Sequence, residues 1–92
     1  MRSVDLALYA DALAGEAAAL AARAERERSR LRQATIERLA RDELPPETVA
    51  RLEALGMLVT RADRVHLREL EDALEALEQL QAWVEWRLAN AA

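Results

Sequence analysis

The chain has no cysteine, no lysine and no phenylalanine, and its 92 residues hold only two glycines, two prolines and one histidine. Each shortage excludes something. Without cysteine there is no disulfide framework and no thiolate zinc site. The longest purely apolar run, Ala17 to Ala22, is far shorter than a membrane span, and no leader pattern opens the chain. Cytoplasmic localisation, with no membrane partner, is the expectation. Scarce glycine and proline among abundant Ala, Leu, Glu and Arg leave helix as the dominant structure. The length gives room for one small domain, residues 1–92.

Catalytic chemistry finds few carriers. There are two serines, three threonines and Tyr9 beside the single His66, and Ser29 lies in a charged stretch remote from that histidine in any hairpin. A nucleophile, base and acid set is not assembled, so no enzyme activity and no catalytic residues are expected. His66 and Glu69 share a helix face at i,i+3, but bundle carboxylate sites use Glu before His and need matching carboxylates on other helices. No metal and no cofactor is expected, and His66 reads as a partly exposed polar residue opening a helix.

The net charge is −4, but its distribution carries more than its total. Residues 23–41 hold seven Arg against three Glu, and residues 42–92 hold five Arg against eleven acids. A basic middle and an acidic C-terminal half attract one another, within one molecule or across a dimer. The arginines at 23, 26, 28, 30, 32, 38 and 41 spread around the helix with Glu25 and Glu27 among them, whereas a phosphate-tracking stripe gathers its charges on one side. Nucleic-acid contact is therefore the less favoured partner class.

Punctuation divides the chain into three helices. Ser3 is a candidate cap and Asp5 suits the positive end of a helix dipole. Pro45-Pro46 ends whatever precedes it, because the residue before a proline is driven toward extended geometry. Pro46 fits the first turn of a second helix, and Gly56 is a natural left-handed stop. The sequence predicts an all-α fold: a long helix over 3–43, a short helix over 46–55, a loop over 57–63, and a long returning helix over 64–89. Residues 58–66 also admit two short strands around Ala62-Asp63. The loop, with Asp63 capping the third helix, is preferred because so short a lone hairpin is marginal.

The first half of the long helix repeats in sevens. Leu6, Leu13 and Leu20 hold one core position, and Ala10, Ala17 and Ala24 hold the other. Large and small residues alternate, which suits close helix approach. The pattern then meets Glu25–Arg30, polar all round, and resumes with Leu31, Ala34, Ile36, Leu39, Ala40 and Leu44 in what reads as a different phase. In the short helix Val49, Leu52 and Leu55 form the apolar face. In the third helix Leu67, Leu74, Gln81 and Leu88 form one row and Leu70, Leu77 and Val84 the other. Ala73, Ala76, Leu80 and Trp83 widen that face, with Trp83 read as core. So wide a face predicts contact with at least two other helices.

At 1.5 Å per residue the long helix measures about 60 Å and the third about 40 Å, so the third cannot cover all of the first. Part of the Ala/Leu seam would stay bare in a monomer, and a second copy is its simplest cover. The candidate protein interface is therefore Leu6, Ala10, Leu13, Ala17, Leu20, Ala24, Leu77, Gln81, Val84 and Trp86. Gln81 is either a buried amide fixing register or a residue on the rim of a wide face. Trp86 points away from the seam, as a contact for a partner protein or as a surface buried by a second subunit. The acidic ladder Glu71, Glu75, Glu78 and Glu85 is a solvated face, or one that meets the arginines of residues 26–41 across an interface. The function predicted is non-enzymatic: a helical assembly or adaptor protein, a homodimer with an unidentified protein as further partner.

One resemblance supplies the alternative. Thr35-Ile36-Glu37-Arg38-Leu39-Ala40, followed by Thr48 to Leu58, resembles the winged helix-turn-helix of MerR-type regulators. The resemblance implies a wing over residues 59–66, a dimerising third helix, and DNA contact through the short helix and Arg38, Arg41, Arg51, Arg61 and Arg64.

Overall fold

The computed structural model describes residues 2–90, in three helices: α1 (Ser3–Glu43), α2 (Pro46–Ala54) and α3 (Arg64–Ala89). The boundaries follow from local chemistry. Leu44 is extended (ψ 153°) ahead of Pro45, so α1 stops where the proline ring demands it. Pro46 opens α2, where a missing N–H costs nothing. Gly56 ends α2 at φ 76°. Around it the Met57 N–H bonds to Leu52 O and the Gly56 N–H to Glu53 O, both at 2.9 Å, the paired bonds of a Schellman stop. Asp63 caps α3, its carboxylate accepting from the backbone N–H of Val65 at 2.9 Å and of His66 at 3.2 Å. The cap expected at Ser3 is not formed: Ser3 is already helical, and Arg2 is the N-cap without a side-chain bond.

α3 runs back along α1 as the second arm of a hairpin. Leu6, Leu13 and Val84 form its buried centre, with Ala10, Leu77, Leu80 and Leu88 packed against them. Ala24 and Leu70 are buried nearer the closed end. The molecule is a rod of 71 × 18 × 15 Å with a radius of gyration of 20.9 Å, against about 12 Å for a compact chain of this length.

The seam departs from the sequence reading in two ways. The seam does not break at residues 25–30. Glu27 is buried and holds the next core place, and Leu31 and Ala34 follow half-buried at the same 3–4 spacing. Nor is the Ala/Leu half of α1 the part left bare. The hairpin closes near Glu27 and Leu31, so α3 covers that half, and the uncovered length is the C-terminal end of α1. Residues 55–63 return along this overhang before α3 begins. No strand forms among the described residues, so in place of a wing over 59–66 there is irregular chain over 59–63 and the first turn of α3 over 64–66.

Candidate functional site

Nine of the ten residues assigned to a protein interface lie in the seam between α1 and α3 of one chain. Leu6, Leu13, Ala24 and Val84 are buried, while Ala10, Ala17, Leu20, Leu77 and Gln81 are half-buried. The molecule's own third helix thus supplies the cover that was assigned to a second copy. Gln81 is a rim residue rather than a buried amide. Trp86 is exposed, at 57 %, as the sequence placed it. Trp83 is not core: it is 49 % exposed, because its position lies to one side of the seam and α1 reaches only part of the indole. The Arg87 guanidinium lies 5.9 Å from the Trp83 ring centre, a cation–π arrangement. Leu55 also departs from expectation. It is 75 % exposed, since as the C-cap of α2 it lies where the chain turns away from the helix.

Charge stitches the closed end. Glu27 accepts the Asp63 backbone N–H at 3.0 Å and pairs with Arg30 at 3.3 Å. Sequence reasoning missed Glu27, although the unbroken spacing Leu20, Ala24, Glu27, Leu31 marks it. Arg28 pairs with Glu71 across the helices at 3.6 Å, so the head of the acidic ladder meets the basic segment within one molecule. Arg41 donates to Glu53 and to the Leu58 carbonyl, holding α2 and its exit against α1. Arg32 and, more weakly, Arg28 hydrogen-bond the Glu25 carboxylate and hold its pKa below the ordinary value. His66 Nδ1 stands 3.9 Å from Glu69, with both side chains substantially exposed.

The two long sides of the hairpin differ. On one, Arg28 and Glu71 meet, and Glu75, Glu78 and Glu85 continue the α3 stripe. The other carries Tyr9, Ala12, Glu16, Ala19 and Arg23 from α1, facing His66, Glu69, Ala73, Ala76, Leu80, Trp83 and Arg87 from α3; each set follows the 3–4 spacing of one helix flank. A hollow of about 490 Å³ opens on this second side, bringing Ala12, Gly15, Glu16, Ala19 and Arg23 beside Leu20 and Leu77. A larger groove, about 880 Å³, lies near the closed end between Leu31, Thr35 and Ile36 of α1 and Val65 and Leu67 of α3, with Arg32, Arg64 and Arg68 at its edge.

Among the described residues no group of three or more His, Asp or Glu side chains is placed to hold a metal ion. Among the described residues no helix is long and apolar enough to cross a membrane. Of the arginines assigned to nucleic acid, Arg41 is engaged by α2, whereas Arg38, Arg51, Arg61 and Arg64 make no ion pair among the described residues. Geometry therefore defines a class, a rod-shaped α-helical hairpin with one acidic flank and one flank where Tyr9, Leu80 and Trp83 stand among small and charged residues of both signs. Its sequence matches no family model and no curated protein, and no solved structure matches it.

Proposed function

We propose that this chain is a non-enzymatic assembly module that works through protein–protein contacts and self-association. The observation that carries the reading is the balance of apolar exposure. Among the described residues five apolar ones are buried, while twelve large ones stand exposed, including Tyr9, Ile36, Leu39, Val65, Trp83 and Trp86. The accessible surface is 7056 Å², against about 5,400 Å² for a compact monomer of this mass. A two-helix rod with a single seam has too little interior to hide these groups, and exposed apolar faces of this extent mark contact surfaces. Light scattering coupled to size exclusion, run over a range of concentrations, tests it. A mass that is a multiple of 10.3 kDa supports self-association, and a constant 10.3 kDa contradicts it.

A DNA-binding regulator is the second reading, supported by the unpaired guanidinium groups of Arg38, Arg51, Arg61 and Arg64. It requires binding to duplex DNA that weakens steeply with salt, with a slope set by the number of phosphates neutralised. Salt-independent or absent binding removes it.

A further inference from the structure

We infer that the flank of the hairpin bearing Tyr9, Leu80 and Trp83 is a self-complementary docking face for a second copy of this chain, running antiparallel, with a two-fold axis crossing the rod at the level of Leu20 and Leu77. This rests on the self-association reading above and names its surface and geometry.

The evidence lies in how charged groups are spaced along that flank. On α1, Glu16 and Arg23 stand two turns apart on one stripe, and neither has an ion-pair partner among the described residues. Their midpoint lies between Ala19 and Leu20. On α3, Glu69 and Arg87 share the other stripe; among the described residues Glu69 pairs only with His66, at 3.9 Å, and Arg87 makes no ion pair but lies 5.9 Å from the Trp83 ring centre. Their midpoint is Glu78, one residue beyond Leu77. Leu20 and Leu77 line the same hollow, and further along the rod Arg28 meets Glu71, so the two midpoints fall within about one turn of each other.

A two-fold axis at that height exchanges the two ends of each stripe. It sets Glu16 against Arg23 of the second copy and Glu69 against Arg87 of the second copy, and by symmetry each pair occurs twice. Shape follows the same rule. Trp83 comes opposite Ala73, and Leu80 opposite Ala76, so each large side chain meets a small one. Ala19 meets its own counterpart close to the axis, where the small residues Ala12, Gly15 and Ala19 permit close backbone approach. All four helices then have antiparallel neighbours, the arrangement of an up-and-down four-helix bundle. A parallel copy places Glu16 beside the α3 helix of its partner, and none of these pairings forms.

The area suffices. From Tyr9 to Arg30 the flank is about 32 Å long. Across the rod's 18 Å width that gives a footprint of roughly 1,100 Å² summed over both copies, above the ~1,000 Å² floor of a specific interface.

The absence of cysteine makes a direct test available in the full chain. Ala19→Cys places one thiol near the axis. Ala21→Cys, also exposed and nearly level with it, points to the opposite flank. Under mild oxidation the Ala19→Cys chain is expected to become a disulfide-linked dimer, and the Ala21→Cys chain to stay unlinked. Sedimentation equilibrium adds a charge exchange, with circular dichroism confirming unchanged helix content. Glu16→Arg should weaken the dimer about tenfold, and adding Arg23→Glu should restore it to within about twofold. A dimeric wild type with no linkage at residue 19, or with no recovery in the double exchange, overturns this face while leaving self-association standing. A wild type that stays monomeric at all concentrations overturns both.

Discussion

Glu27 and Asp63, thirty-six residues apart, are joined by a single hydrogen bond of 3.0 Å, from the Asp63 backbone N–H to the Glu27 carboxylate. The same Asp63 caps α3 with its own carboxylate. The start of the third helix is thereby fixed to one turn of the first, and that choice sets the register of the whole seam.

Glu27→Ala leaves the Asp63 N–H without its partner and removes a buried side chain. Thermal unfolding should show a loss of about 1–3 kcal/mol. Glu27→Gln keeps an oxygen acceptor at the same reach and should recover more than half of that loss. Equal losses for the two variants would mean that this bond does not set the register.

Asp63→Ala removes the cap as well as its turn geometry. A loss of about 0.5–2 kcal/mol is expected, with Asp63→Asn close to wild type. Urea titration followed by circular dichroism measures both.

Gly56→Ala tests the stop of α2. A Cβ at Gly56 meets nothing within 4 Å, so the whole cost comes from holding φ at 76°. It should be about 1 kcal/mol, and Gly56→Asn should cost less, since asparagine tolerates this conformation. Calorimetry on the three chains decides. A neutral Gly56→Ala would show that α2 ends without the left-handed turn.

Trp86→Ala should change stability by less than about 1 kcal/mol, because the indole is 57 % exposed. Any partner that uses it should bind more weakly, with helix content unchanged. Global unfolding of this variant would make Trp86 a core residue and remove it from the contact surface.

Glu25 should titrate below the ordinary glutamate value because Arg32 and Arg28 stabilise its ionised form. Its folded value is depressed relative to the unfolded chain. Its contribution to stability is therefore present above the unfolded value and is lost as pH falls through the folded one. Carboxyl chemical shifts over an acid titration read the midpoint directly. Arg32→Gln, which removes the larger cause, should move it upward.

Much of the fold was written in local chemistry. The ends of α1 and α3, the Pro45-Pro46 stop, the Gly56 turn and the Asp63 cap all depend on residues within a few positions of one another. What the sequence hid depends on distant partners. A carboxylate at a core place reads as a break until its acceptor role toward Asp63 is known, so Glu27 appeared to interrupt a seam that it continues. Trp83 read as core because a wide apolar face says nothing about how much of it the facing helix spans. The covered length of α1 was likewise misjudged, because it depends on the path of residues 55–63. The candidate interface was legible as a set of apolar positions. That nine of them pair within one chain, leaving Trp86 outside the seam, required the hairpin's register.

The anchoring of α3 at Glu27 gives the rod one sealed end and one open end. Contacts beside the anchor close a loop of thirty-six residues, while Leu6 and Leu88 bracket most of the chain. Closure entropy rises along the seam in that direction. In the isolated hairpin, amide hydrogens should therefore exchange in spatial order, first from Val4 to Ala10 and from Val84 to Ala89, last around Ala24 and Leu70. The molecule opens like a zipper from the end where its two termini lie.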